Sequence, residues 1–143
     1  MQPVNRLADK QEQQSAIVFS QCQAQLRELE NQLQKLYSYR DGYNEQMIQQ
    51  SRQGVGSYHL QDTLMFMNNL NQSIETILKQ IQQQKLICQE KREVWMNKHN
   101  KKRIYTKVTK KYLCEEQQIK NKQEQKSLDE FNQNLFHRNT HKS

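Results

Sequence analysis

The stretch MNNLNQSIETILKQI, residues 67–81, sets Met67, Leu70, Ile74, Ile77 and Ile81 at steps of three and four, with Leu78 and polar residues between them. Such spacing draws one narrow apolar seam along a helix, the pattern by which two helices bury each other in a coiled coil. Working outward, Met67, Ile74, Ile81, Cys88 and Trp95 recur every seven residues, with Leu60, Leu64, Leu70 and Ile77 on the same flank. An earlier stretch repeats the pattern through Ala8, Glu12, Ser15, Phe19, Cys22, Leu26, Leu29, Leu33, Leu36, Arg40, Tyr43 and Met47. Between the two seams lies Gln53-Gly54-Val55-Gly56-Ser57, which holds two of the chain's three glycines. The expected fold is all-α: a long antiparallel two-helix coiled-coil hairpin, one domain over 1–143, with no room for an active-site cavity.

Helix-end signals place helix one at about 4–50, the turn at 51–57, helix two at about 58–135 and a frayed polar tail at 136–143. At 1.5 Å per residue the arms measure roughly 70 Å and 110 Å, so the C-terminal helix is the longer. Ser57 is the expected N-cap of helix two, and Gly42 weakens helix one by about 1 kcal/mol relative to Ala. A turn centred on Val55 pairs residues whose numbers sum to about 110. Tyr43 then falls beside Met67, Leu36 beside Ile74, Leu33 beside Ile77, Leu29 beside Ile81, Leu26 beside Gln84, Phe19 beside Lys91 and Ser15 beside Trp95. Cys22 faces Cys88, close enough for mild oxidation to join them if their Cα atoms lie within about 7 Å.

Composition supports the hairpin. Only 34% of the 143 residues are hydrophobic, against roughly 45–50% in an ordinary globular domain, and the mean hydropathy is −1.16. Disorder would suit those values, but disordered chains lack a sustained apolar period. The Gln, Lys, Glu and Leu that dominate are good helix formers. The single proline, Pro3, stands ahead of the first seam, where it breaks nothing. A net charge of +7 predicts attraction to acidic surfaces without choosing among nucleic acid, anionic lipid and protein.

Enzyme chemistry finds no foothold. His59, His99, His137 and His141 lack metal-ligand spacing, and the Gly54-Val55-Gly56-Ser57 turn lacks the lysine of a phosphate-binding loop. No catalytic residue, metal site, cofactor or small-molecule substrate is expected. Cys22, Cys88 and Cys114 form neither a disulfide framework nor a metal motif, which fits a reducing compartment. A cytoplasmic location is expected: the start of the chain lacks a secretory pattern, and apolar runs such as 64–67 fall far short of the ~20 residues that span a bilayer. Asn71-Gln72-Ser73 matches a glycosylation sequon by chance.

Two surfaces remain. Lys98, Lys101, Lys102, Arg103, Lys107, Lys110 and Lys111 fall within residues 98–111 without an acid among them, interleaved with Ile104, Tyr105, Val108 and Tyr112. A solvated helix face is the default for such a run, a docking face for an acidic protein comes next, and nucleic-acid binding third, since a helix offers no stacking platform. Near the turn, Tyr37, Tyr39, Met65 and Phe66 lie off the seam. Exposed apolar patches that include tyrosine mark protein contacts; thickening of the core or support of a dimer is the alternative.

The stretch Leu36-Tyr37-Ser38-Tyr39-Arg40-Asp41-Gly42-Tyr43, the Gly54-Val55-Gly56-Ser57 bend and Phe66 followed by Leu70 come in an order and spacing that resemble the flagellar export protein family FliJ. Trp95, the closing Gln125-Lys126-Ser127-Leu128-Asp129-Glu130 and the Leu7-Ala8-x-Lys10 start extend the resemblance over nearly the whole chain. It implies a component of the flagellar type III export apparatus, similar to the coiled-coil shaft of the rotary F-type ATPase gamma subunit. Such a stalk binds the hexameric export ATPase FliI, promotes its ring assembly and touches the export-gate protein FlhA and late-substrate export chaperones. Membrane association would be peripheral, through those partners, at the cytoplasmic face of the inner membrane. Carried over, the gate-facing residues are Gln32, Leu36, Tyr39 and Tyr43 on helix one with Phe66, Leu70, Ser73 and Ile77 on helix two. Ring binding would fall to the basic run 98–111. The alternative is a nucleic-acid-binding or structural homodimeric coiled coil.

Overall fold

A computed structural model describes the backbone of residues 2–54 and 56–141, with side chains described over 3–54, at 56 and over 59–140. Two helices, α1 (Gln2–Gln53, 52 residues) and α2 (Ser57–His141, 85 residues), pack against each other, and no strand occurs among the described residues. Helix α1 runs three residues past Gln50 and stops where Gly54 takes φ +73°. That left-handed conformation suits glycine, which has no Cβ to clash, and it is the usual device for closing a helix C-terminus. Val55, the expected centre of the turn, lies outside the described residues.

The Leu60 amide donates to the Gly56 carbonyl at 3.4 Å. An N-cap residue supplies the carbonyl for the first helical bond, so Gly56 holds the cap position expected of Ser57, whose side chain lies outside the described residues. At the other end α2 runs through 136–141. No Pro or Gly interrupts its last residues, Phe136 to His141, so nothing there breaks the helix.

The chain divides into two compact units, Gln11–Lys98 and Met1–Lys10 with His99–Ser143. Within Gln11–Lys98, Leu33, Leu70, Ile74 and Ile81 form the buried core, and Leu26, Leu29, Leu36, Tyr37, Met67 and Ile77 pack around it. Cys22 and Cys88 are buried too. Every α1 seam residue named above is buried or half-buried, as are Met67, Ile74, Ile81, Cys88 and Trp95 on α2. Each fully buried Leu or Ile stabilises by roughly 1.5–3 kcal/mol. The seam is nonetheless thin, with no large side chain fully enclosed among the described residues.

Several expectations need correction. Leu60 and Leu64 are 39% and 49% exposed. Leu64 sits one residue past the seam position taken by the half-buried Thr63, and Leu60 lies in the first turn of α2 beside the bend, where little of α1 remains to cover it. Tyr37 is half-buried against the core instead of lying bare. Phe19 stacks on Trp95, rings 6.0 Å apart and within 9° of parallel, where Lys91 was its expected neighbour. Side chains lean towards the N-terminus of their own helix. In an antiparallel pair that leaning brings Phe19 and Trp95 together although their Cα atoms are a turn out of step.

Within the other unit, Ala8 is buried. The Asn5 amide donates to Thr109 Oγ1 at 3.0 Å, and Lys102 Nζ lies 3.4 Å from Asp9 Oδ1. From Lys110 to Thr140 every residue is exposed, because the nine α1 residues of this unit, 2–10, are already spent against the start of its α2 segment.

Candidate partner-binding surfaces

Heptad geometry sorts the positions beside the seam. Gln32, Leu36, Tyr39 and Tyr43 descend one edge of α1 at steps of four, three and four, and Phe66, Leu70, Ser73 and Ile77 descend α2 in the same pattern. Residues so spaced share one stripe of a helix. Both stripes open on one face: Gln32 lines a shallow groove of about 530 Å³ together with Ser73, Ile77, Asn69, Thr76 and Gln80. Nearer the bend the Tyr43 and Phe66 rings meet at 4.5 Å with a 43° tilt. Such offset aromatic contact contributes roughly 0.5–1.5 kcal/mol beyond the area it buries.

Exposure then divides the eight. Tyr39 at 60% and Phe66 at 45% offer aromatic surface to solvent, with Met65 at 68% beside them, and Gln32 and Ser73 are exposed as well. Leu36, Tyr43 and Ile77 are half-buried, so one edge of each remains available. Leu70 is not available: at 7% exposure it belongs to the core, because its position is also a seam position. Arg40 lies over the Tyr37 ring at 4.8 Å, which explains how a seam position accepts a guanidinium.

The basic run does not form one uniform face. Lys98, in the unit Gln11–Lys98, is half-buried and lines a groove of about 310 Å³ with Gln11, Gln14, Val18, Lys91 and Val94. In the other unit Lys102 is engaged with Asp9, whereas Lys101, Arg103, Lys107, Lys110 and Lys111 are exposed. Tyr105, Val108 and Tyr112 between them are 41–55% exposed.

Sequence reasoning missed the polar contacts that two seam residues, Trp95 and Gln84, make across the seam. Trp95 Nε1 donates to Glu12 Oε1 at 3.2 Å, and Gln84 Nε2 donates to the Cys22 carbonyl and to Gln25 Oε1, each at 3.2 Å. A seam glutamate near a seam tryptophan in register was the available signal for the first. Nothing in the sequence pointed to a side chain reaching a helix carbonyl.

No group of acidic, histidine or cysteine side chains fit to hold a metal occurs among the described residues. The fold is that of an antiparallel coiled-coil protein, with an exposed aromatic face in one unit and a basic segment in the other. The family model of the flagellar FliJ protein matches residues 1–141, and the chain belongs to that family. The family is a non-catalytic component of the flagellar export apparatus. No curated protein and no solved structure matches the chain. Among the described residues no helix is long and apolar enough to cross a membrane.

Proposed function

We propose that the chain is the coiled-coil stalk of the flagellar export apparatus: it binds the hexameric export ATPase FliI, promotes ring assembly and couples the ring to the export-gate protein FlhA. The observation that carries this reading is the family match over residues 1–141. Export chaperones are further partners, and peripheral membrane association follows from the gate.

The aromatic face supplies the gate contact. Tyr39 and Phe66 are its anchors, Gln32 and Ser73 its polar rim, and Leu36, Tyr43 and Ile77 contribute the edges they leave exposed. Aromatic anchors inside a polar rim are what protein interfaces use. The exposed cations Lys101, Arg103, Lys107, Lys110 and Lys111 serve the ring, with Lys98 and Lys102 in support. A cationic surface favours an acidic partner and speeds encounter.

The test is to measure ATP hydrolysis and ring formation by the export ATPase with and without the chain. Joint substitution Lys101→Glu, Lys107→Glu, Lys110→Glu and Lys111→Glu is expected to reduce the stimulation and leave gate binding intact. Lys102 is spared because its reversal would set two carboxylates together at Asp9. Loss of gate binding with full stimulation would reverse the assignment of the two surfaces. Copurification of nucleic acid, with affinity falling steeply as salt rises, would replace it.

A further inference from the structure

Cys22 on α1 and Cys88 on α2 occupy facing seam positions, 7% and 8% exposed. Gln84 ties them together: its Nε2 donates to the Cys22 carbonyl at 3.2 Å and to Cys88 Sγ at 4.0 Å. Both thiols are free and buried in the seam. A cystine requires Cα atoms roughly 4.4–6.8 Å apart with side chains directed at each other, and closure of the bond is the direct test that these facing seam positions satisfy it. Neither cysteine belongs to the partner surfaces above.

We propose that Cys22 and Cys88 form a covalent modification site, a dithiol that a low-molecular-weight disulfide such as oxidised glutathione converts to a cystine joining the two helices. One protein thiolate attacks a sulfur of glutathione disulfide, breaks its S–S bond and expels one glutathione thiolate, leaving a mixed disulfide. The second cysteine gives up its proton to water and attacks the protein sulfur of that mixed disulfide. The Cys22–Cys88 bond forms and the second glutathione leaves. Two protein thiols are oxidised, and one disulfide is reduced to two thiols.

The surroundings set the pace. Burial pushes the Cys88 thiol up and the adjacent Cys22 adds to this, while the Gln84 hydrogen bond pulls part of the way back. Because the thiolate is the attacking species, the closed seam reacts slowly. Oxidation proceeds through openings of the layers flanking the pair, where Gln84 on the bend side and Lys91 and Glu12 on the other stand at seam positions in place of Leu and Ile. Once made, the bond holds α1 and α2 in their native register. The exposed Cys114 has no such partner and reacts first.

The test uses the full chain carrying Cys114→Ser, equilibrated in glutathione redox buffers. Expected are a monomer that has lost two hydrogens by mass, a single linked peptide pair bearing Cys22 and Cys88, and a melting temperature higher by roughly 10 °C. Dithiothreitol reverses all three, and neither Cys22→Ser nor Cys88→Ser shows the shift. Adding Trp95→Ala, which removes the stacked layer above the pair, speeds closure several-fold. The proposal is overturned if the products are only glutathione adducts or intermolecular dimers, or if the cystine lowers the melting temperature. An unchanged rate in the Trp95→Ala background overturns the opening route.

Discussion

Leu70→Ala and Tyr39→Ala separate a residue that builds the aromatic face from one that uses it. Leu70 is 7% exposed and belongs to the four-residue core with Leu33, Ile74 and Ile81. Leucine-to-alanine changes in cores cost 2–5 kcal/mol, more where the cavity stays open. A seam between only two helices closes over a lost side chain easily, so we expect about 2–3 kcal/mol. In a chain of this size 1 kcal/mol moves the midpoint by roughly 3 °C, which gives a fall of about 6–9 °C. Tyr39, at 60% exposure, is a surface position where substitutions stay within about 0.5 kcal/mol, under ~2 °C. In binding the order reverses. An aromatic anchor at an interface contributes about 1–2 kcal/mol, so Tyr39→Ala should weaken gate binding by roughly 5–30-fold. Thermal melts followed by circular dichroism at 222 nm, with titration calorimetry against the gate protein below both midpoints, read the two effects. The reasoning is refuted if Tyr39→Ala melts as early as Leu70→Ala, or if it binds the gate with unchanged affinity.

Three further outcomes follow from particular contacts. Gly54→Ala puts a Cβ on a residue at φ +73° and should lower stability by about 1 kcal/mol, visible in urea unfolding; no loss would mean that α1 ends by another device. Glu12→Gln and Trp95→Phe should each cost about 1 kcal/mol and together less than their sum, because both remove the same 3.2 Å hydrogen bond; strict additivity in a double-mutant cycle would deny it. The raised Cys88 thiol gives a pH signature. The unfolded chain releases that proton first as pH rises, so the stabilisation is fully present below the ordinary thiol value of about 8.5 and declines above it. Reduced Cys88→Ser should lack this alkaline decline, and an identical slope in both proteins would rule out Cys88 as its source.

The hairpin was legible because a period is a redundant signal: the α1 seam read from Ala8 to Met47 repeats one rule at every turn, and a single odd residue such as Arg40 cannot hide it. The register was legible to within a turn: a bend at two glycines sets Cys22 against Cys88, which Gln84 bridges, and Tyr43 beside Met67, although its ring meets the neighbouring Phe66. Finer placement was not. Where Phe19 finds Trp95 depends on how long side chains lean, which spacing does not encode. The aromatic face was half legible: Tyr39 and Phe66 lie off the seam and are bare, but Leu70 counts in both the seam and the stripe, and only packing decides that it is buried. At the bend end the seam rule overran its support, and Leu60 is exposed because periodicity takes no account of where the opposite helix stops. The basic run looked uniform since composition cannot show that Asp9 reaches Lys102.

Residues 110–140 are helical with no neighbour covering them, and Leu113, Ile119, Leu128, Phe131 and Phe136 are all about 60% exposed or more. With no tertiary burial, such a segment rests on intrinsic propensity and local side-chain pairs, which leave isolated helices marginal in water. Its amides should trade hydrogen for deuterium far sooner than those around Ile74 and Ile81. Whatever molecule grips this stretch must meet the entropy of freezing it from its own contacts. Attachment there is thereby weakened relative to its contact area, which favours a hold that can be released.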